Sequence, residues 1–525
     1  MFGIDFATLT PYLWGCLLLA GGMLLWDTIE VGRNDAANLA NAVFGARIMP
    51  RRFAIALAGA AVVAGAVLSS NVIDTARKGI FDPTGFGTLE AALAVYISVY
   101  IVDTVLLYGF SAFGIPVSTT ACLVFELLGA ALAINHRTVN WNKAGIVLAG
   151  IACSIVISGF VSFFIQRAAR GAIRDRTTKL STLLLHGGWL GGGLMAGLCY
   201  FLLLKGMKSV GVVKSFLAVV KEFNEAIGAD VGLMMTLLAL WVFFAVIIHL
   251  LLVIYRQRAA RLLFPTLAVL GMIAMSFAFG QNDLANCAAP GLAAFNLIQA
   301  GDLIEGTKQN INPWMLLVCG LFLFAGMTTK NAERVTKASV STGSMGDHVA
   351  LWAPRWCVTL AGRMLKYRGD APALAPRAGI TATGKTKHYD SLRACVIMSV
   401  AAAVIATASS LGLPVSTTYV TFAAIMATGM ADRIFSRGDA DLKLGRTIWV
   451  ITCWFGSAFI AAVAAGIVAR IALHLSLAGI VGCVLVNLCI RHYLKKRADK
   501  HDERVRDEAY ERAHPEEFAL EQEDE

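Results

Sequence analysis

Two short polar stretches each occur twice, and their residue types suggest ion chemistry. Gly32-Arg33-Asn34-Asp35-Ala36-Ala37-Asn38 is matched by Gly280-Gln281-Asn282-Asp283-Leu284-Ala285-Asn286. Carboxylate and amide oxygens are the hard ligands that alkali and alkaline-earth cations prefer. Residues three apart share one helical face, so Asp35 with Asn38, and Asp283 with Asn286, can each supply half of a cation site. Hydrogen-bonded glue between helices is the other use of such residues. Farther along, Ile115-Pro116-Val117-Ser118-Thr119-Thr120 is matched by Leu413-Pro414-Val415-Ser416-Thr417-Thr418. Proline is pre-set for the first turn of a helix. The N–H groups that follow it have no intrahelical partner, and the helix dipole favours an anion there. Neighbouring hydroxyls add donors. The alternative is that Ser and Thr bond back to their own helix while the proline kinks it.

The elements that must position these residues are apolar. The 525-residue chain is 57% hydrophobic and 15% charged, with a mean hydropathy of +0.67. Soluble domains carry about 25% charged residues. The composition predicts an all-α polytopic membrane protein. A span needs about 20 apolar residues, and the apolar runs amount to roughly 12 transmembrane helices, several broken by Gly, Pro, Ser or Thr. Backbone groups must be satisfied inside lipid, which dictates helices. A carboxylate at mid-bilayer costs about 2.5–3.5 kcal/mol on insertion scales, so Asp35 and Asp283 need a cation or a hydrogen-bonding partner. The net charge of +10 comes from basic residues clustered beside spans. That pattern reads as positive-inside orientation and argues against a nucleic-acid partner. No Lys or Arg precedes Arg33, so the first apolar segment, residues 12–26, is expected to be a retained span rather than a cleaved leader. The 11 cysteines form no CxxC or metal spacing.

In chain order, residues 1–204 form the first transmembrane half and 205–230 a mixed, partly amphipathic linker. Residues 231–494 form the second half, with a polar, basic insert at about 330–393, and 495–525 an acidic tail expected on the cytoplasmic side. Asp35 precedes Ser118 by 83 positions and Asp283 precedes Ser416 by 133; the excess of 50 is close to the size of the insert. Without the insert, the halves align as an internal repeat.

The pairing of Gly-x-Asn-Asp-x-x-Asn with Pro-Val-Ser-Thr-Thr, twice over, resembles the PiT family of inorganic phosphate transporters across residues 12–492. The resemblance implies two inverted-topology repeats whose broken or re-entrant helices meet at the midplane. It implies a secondary transporter that imports inorganic phosphate across a plasma or bacterial inner membrane by alternating access, with no enzymatic activity. By motif match, Asn34, Ser118, Thr119, Thr120, Asn282, Ser416, Thr417 and Thr418 would hold phosphate. Asp35, Asn38, Asp283 and Asn286 would hold the coupling cation, sodium or proton, with no other cofactor. The implied partners are inorganic phosphate, free or as a metal–phosphate complex, and the lipid bilayer, with a homodimeric partner as a further option. Sulfate is the alternative cargo; a channel or a membrane enzyme is the alternative class. No nucleophile beside a His, HExxH or Cys/His metal set supports an enzyme.

Arg33 adds a further expectation. Arginine stays protonated and grips phosphate bidentately; reaching the site, Arg33 would bind substrate and replace one coupling cation. The alternative is that it snorkels to the membrane interface. Glu30, Asp103 and Glu126 lie near the motifs in sequence, as proton relays or as structural pairs.

Overall fold

The computed structural model describes residues 9–69, 80–206, 211–303, 313–366, 386–436 and 438–513. The remainder of the expected insert, 367–385, and the end of the acidic tail, 514–525, lie outside the described residues. In the first half, helices run over Pro11–Gly45 (α1), Arg51–Val67 (α2), Leu89–Ala112 (α3), Thr119–Asn135 (α4), Trp141–Ile173 (α5) and Leu180–Leu198 (α6). Next come Gly211–Ile227 (α7), Ala229–Ala300 (α8), Pro313–Met327 (α9), Lys330–Thr342 (α10) and Arg355–Lys366 (α11). Ser391–Ser410 (α12), Thr417–Ala431 (α13) and Ala440–Ala513 (α14) complete the described helices. An isolated β bridge joins Phe81 and Val139.

Local chemistry explains where these helices start. Thr10 caps α1 by accepting from Leu13 N, with Pro11 just inside the helix. Thr88, Asn140, Thr329 and Asp390 cap α3, α5, α10 and α12 in the same way. Straight, the 72 residues of α8 would extend about 108 Å, several times the hydrocarbon thickness. The helix instead breaks at Arg256 (φ 43°, ψ −121°), and the 74-residue α14 breaks at Ser476 (φ 49°, ψ −137°). Among the described residues, eight helices are long and apolar enough to cross a membrane, or nine if the α9–α10 pair, bent by 66°, is one span. Leu18, Phe160, Ile254 and Phe455 are more than half exposed on such helices, as lipid-facing positions should be.

The halves interlock through glycine. A Cβ on Gly32 would lie 2.0 Å from Leu323 O, and one on Gly326 would lie 2.1 Å from Ile29 O; α1 and α9 therefore cross backbone to backbone. A Cβ on Gly65 would lie 2.0 Å from Phe277 O, and one on Gly280 2.2 Å from Val62 O, so α8 and α2 cross the same way. Without a hydrophobic force between helices in lipid, close backbone approach at small residues supplies the packing. Gly32 and Gly280 are the leading residues of the two Asn-Asp motifs, so each crossing fixes a motif against a span from the other half. Within the expected insert, α10 has Ala332, Val335, Thr336 and Val340 buried.

Candidate functional site

The loops that carry the Ser-Thr-Thr runs are built identically in the two halves. α3 ends with Gly114 at φ +65°; Ile115 N donates to Phe110 O and Gly114 N to Ser111 O. α12 ends with Gly412 at φ +68°; Leu413 N donates to Ala408 O and Gly412 N to Ser409 O. This is the Schellman stop, in which a left-handed residue lets two N–H groups fold back onto the last carbonyls. Pro116 and Pro414 follow and cannot extend the helix. A new helix then begins: Ser118 Oγ accepts from Ala121 N at 3.0 Å, and Ser416 Oγ accepts from Tyr419 N at 3.1 Å. Gly-Ile/Leu-Pro-Val-Ser is thus a stop, a short extended bridge and a start. Both helix openings lie inside the protein, and Ser118, Thr119, Thr120, Ser416, Thr417 and Thr418 are all buried.

Asn34 and Asn282 hold these bridges. Asn34 Nδ2 donates to Val117 O at 2.6 Å, and its Oδ1 accepts from Val117 N at 3.4 Å. Asn282 Nδ2 donates to Val415 O at 2.6 Å, and its Oδ1 accepts from Val415 N at 3.3 Å. Each side-chain amide mimics a neighbouring strand for one residue of irregular backbone, which could not otherwise be satisfied away from water. In this arrangement the two amides serve the loops that carry the hydroxyls.

Asn38 and Asn286 reach across to the other half. Asn38 Nδ2 donates to Thr418 Oγ1 at 3.0 Å and to Asp35 Oδ1 at 2.8 Å. Asn286 Nδ2 donates to Thr119 Oγ1 and Thr120 Oγ1 at 2.9 Å each, and to Asp283 Oδ1 at 2.9 Å. The threonines cross as well: Thr120 Oγ1 donates to Val415 O at 3.0 Å, and Thr418 Oγ1 lies 3.1 Å from Val117 O. Thr418 Oγ1 is also 2.7 Å from Asp35 Oδ1. Thr119 Oγ1 stands 3.2 Å from Asp35 Oδ2 and 3.2 Å from Asp283 Oδ1. Thr417 is buried beside Asp283. The four motifs therefore converge on one buried polar cluster, with both carboxylates at its centre.

This cluster can bind ions of both signs. Asp35, Asp283 and the Asn286 Oδ1, which is buried without a partner, are hard oxygen ligands for a cation. The first N–H groups of α4 and α13, with the threonine hydroxyls, are donors for an oxyanion. A phosphate beside two carboxylates is tolerable only with cations between them.

Arg33 does not join the cluster. Its Nη1 pairs with Glu30 Oε2 at 2.5 Å, its Nε donates to Thr329 Oγ1 at 3.3 Å, and its guanidinium lies 5.4 Å from the Tyr108 ring centre. Glu30 also takes Arg491 Nη2 at 2.6 Å and Trp26 Nε1 at 3.1 Å. Arg33 and Glu30 thus form part of an ion-paired knot joining α1, α3 and α14. Asp103 is buried against Asp27, and both Glu126 carboxyl oxygens are buried without a hydrogen-bond partner.

Two supporting features escape a reading of the motifs alone. Tyr100 on α3 inserts its hydroxyl into α8, donating to Cys287 O at 2.6 Å and accepting from Gly291 N at 2.7 Å. Those two groups would otherwise bond to each other, and Pro290 between them lacks an N–H, so α8 is opened one turn past Asn286. Trp454 on α14 donates to Pro116 O at 3.1 Å and stacks on Tyr419 at 4.0 Å. Gly114 and Gly412 were visible as glycines preceding both Pro-Val-Ser-Thr-Thr runs; nothing local marks Tyr100 or Trp454.

The sequence profile described as "Phosphate transporter family" matches residues 31–341 and 379–465. A relative from Pyrococcus abyssi named "Putative phosphate permease" is 24% identical over 458 residues, spanning 86% of this chain and 96% of the relative. A relative of the same name from Chlamydia trachomatis is 26% identical over 473 residues, spanning 84% of this chain and 93% of the relative. A solved structure titled "The sodium-dependent phosphate transporter" superposes with a TM-score of 0.62 at 21% identity, covering 87% of this chain and 98% of that one, and so has the same fold. With its multiple apolar spans and its four converging motifs, the chain is a multi-pass membrane protein that belongs to the phosphate transporter family and not to an enzyme family.

Proposed function

We propose that this protein imports inorganic phosphate across the cell membrane by cation symport with alternating access. The observation that carries the reading is the position of the Thr119 hydroxyl, between Asp35 of one half and Asp283 of the other, where two helix openings meet. Phosphate takes the first-turn N–H groups of α4 and α13 and the hydroxyls of Ser118, Thr119, Thr120, Ser416, Thr417 and Thr418. Asn34 and Asn282 hold the bridges. The cations take Asp35, Asn38, Asp283 and Asn286. Sodium is the first candidate, because the protein of the same fold is titled sodium-dependent; a proton is the second. Arg33, neutralised by Glu30, contributes to the knot rather than to the substrate.

The halves, 1–204 and 231–494 joined by 205–230, act as inverted repeats rocking about the shared cluster. The reciprocal hydrogen bonds between Asn38 and Thr418, and between Asn286 and Thr119, support this division. Arg51 with Glu333 and Arg47 with Thr386 join the basic segments of both halves, and Arg334 with Asp499 brings the tail to the same face. By the positive-inside rule that face is cytoplasmic and holds the insert and the acidic tail.

Purified protein in liposomes tests the reading. Labelled phosphate accumulates under an imposed sodium gradient, or under a proton gradient if protons couple, and excess sulfate does not compete. Equal uptake with no gradient identifies a channel, and competition by sulfate identifies a broader oxyanion carrier.

A further inference from the structure

A cavity of about 620 Å³ opens beside the α9–α10 bend, between α10, the end of α14 and the loop after α3. Its walls carry Arg47, Lys330, Arg334, Lys337, Arg446 and Arg506, opposed by the carboxylates of Glu333 and Asp502. With Asp499, which pairs with Lys330 and Arg334, six cations face three carboxylates and leave a positive concave surface, and a cavity with low-dielectric walls focuses such a field.

Arg446 gives the surface a direction. The residue is 3% exposed. Its Nη1 donates to Trp352 O at 3.0 Å and its Nη2 to Gly114 O at 2.8 Å. Its Nε is buried without a partner, and among the described residues no carboxylate pairs with the guanidinium. Arg47 likewise donates to Thr386 O and lies 4.8 Å from the Phe44 ring centre, with no acidic partner among the described residues. Burying the Arg446 charge among neutral partners is costly, and an anion in the cavity removes that cost; Arg47, only partly buried, adds a further unpaired charge. The tail end of α14 already sends carboxylates to this wall. Asp499 contacts Lys330 Nζ at 3.1 Å and pairs with Arg334 Nη2, and Asp502 lies 3.5 Å from Arg334 Nε. Both aspartates are more than a third exposed, so they can be exchanged. Phe113 and Gly114 also line it, and Gly114 leads directly into the bridge that ends at Ser118.

We propose that this vestibule is a second binding site for a phosphate-class oxyanion, separate from the Asp35/Asp283 cluster, in which Asp499 and Asp502 compete with the anion for Lys330 and Arg334. The choice of phosphate among oxyanions rests on the transport reading; the site itself does not. Arginine and lysine together suit a tetrahedral anion, the guanidinium offering forked donors and the ammonium a point charge.

Equilibrium binding of radiolabelled inorganic phosphate to the purified full-length protein in saturating sodium tests this. Two phosphates per chain are expected. The Asp35→Asn, Asp283→Asn double variant should retain one. Adding Arg334→Gln to it should weaken that one at least tenfold, whereas adding Asp499→Asn with Asp502→Asn should tighten it severalfold. The second pair keeps the test sharp if Arg334→Gln fails to fold. A single phosphate that depends on Asp35 and Asp283 overturns the vestibule and leaves the transport site standing. A single phosphate that depends only on Arg334 does the reverse. Proteoliposomes then identify the source of the anion. Phosphate enclosed on the vestibule side that slows uptake in the parent but not in Arg334→Gln marks a feedback site. Slower uptake by Arg334→Gln without enclosed phosphate marks a station on the exit path. Uptake unchanged in both conditions overturns the proposal.

Discussion

A hydroxyl has one proton to give, and Thr119 Oγ1 stands at hydrogen-bond distance from two carboxylates. It can donate to only one of Asp35 and Asp283 at a time, and under the proposed symport a cation or proton between them meets the charge that the neighbouring amide donors leave. Thr119→Val should lower gradient-driven phosphate uptake roughly 10–100-fold, the equivalent of about 1–3 kcal/mol for orphaning buried partners, while Thr119→Ser should retain most of it. Initial-rate uptake in proteoliposomes decides, and parent-like uptake by Thr119→Val would show that the hydroxyl is dispensable. His388 supplies a pH prediction outside the spans. Burial, helped by Arg47 and Lys443, pushes its imidazole down to about 4, and its Nδ1 lies 2.9 Å from Ser344 Oγ. The unfolded chain takes up this proton near pH 6.5 and the folded chain only near 4, so stability from this group is complete above 6.5 and declines as pH falls from 6.5 toward 4. Thermal melts at pH 7.5 and 5 should show a smaller acid-induced drop for His388→Gln than for the parent.

Helix crossings, more than hydrophobic burial, set where the residues of the cluster stand. Gly280→Leu puts a side chain where even a Cβ would sit 2.2 Å from Val62 O. It should cost about 1–3 kcal/mol of overpacking and displace Asn282 and Asp283, lowering the melting temperature and uptake together. At Gly482 nothing lies within 4 Å of a Cβ, so Gly482→Ala should be neutral or stabilising by up to about 1 kcal/mol; similar melts for the two variants would contradict the crossing. Much of this scale was legible in the sequence, and the rest was not for definable reasons. Pro-Val-Ser-Thr-Thr announced a helix start inside an apolar chain, and the break at Ser476 falls where the last long apolar stretch divides after His474. The partners of Gly32 and Gly280, the insertion of Tyr100 into α8 and the latch of Asn34 on Val117 are tertiary, between residues 83 or more positions apart in the latch alone, and no local pattern encodes them. The pairing of Arg33 with Glu30 is local by contrast, one turn apart at helical i,i+3 spacing, and so was legible in the sequence.

At the scale of the whole molecule, the proposed site draws its residues from both halves. A ligand that binds only the folded protein stabilises it by mass action, about 2.7 kcal/mol at 100 times its dissociation constant. If, as proposed, the carboxylates take a cation before phosphate approaches, phosphate and sodium together should raise the melting temperature by more than the sum of their separate effects. Additive shifts would separate the two ions into independent sites. The most direct measurement is accumulation of labelled phosphate against its gradient by proteoliposomes carrying Asp35→Asn or Asp283→Asn singly, with correct folding checked by melting. Loss of accumulation by at least 100-fold in each variant is predicted, because each carboxylate lies in a different half and both face the same hydroxyl. Full accumulation with either aspartate replaced would contradict a shared site.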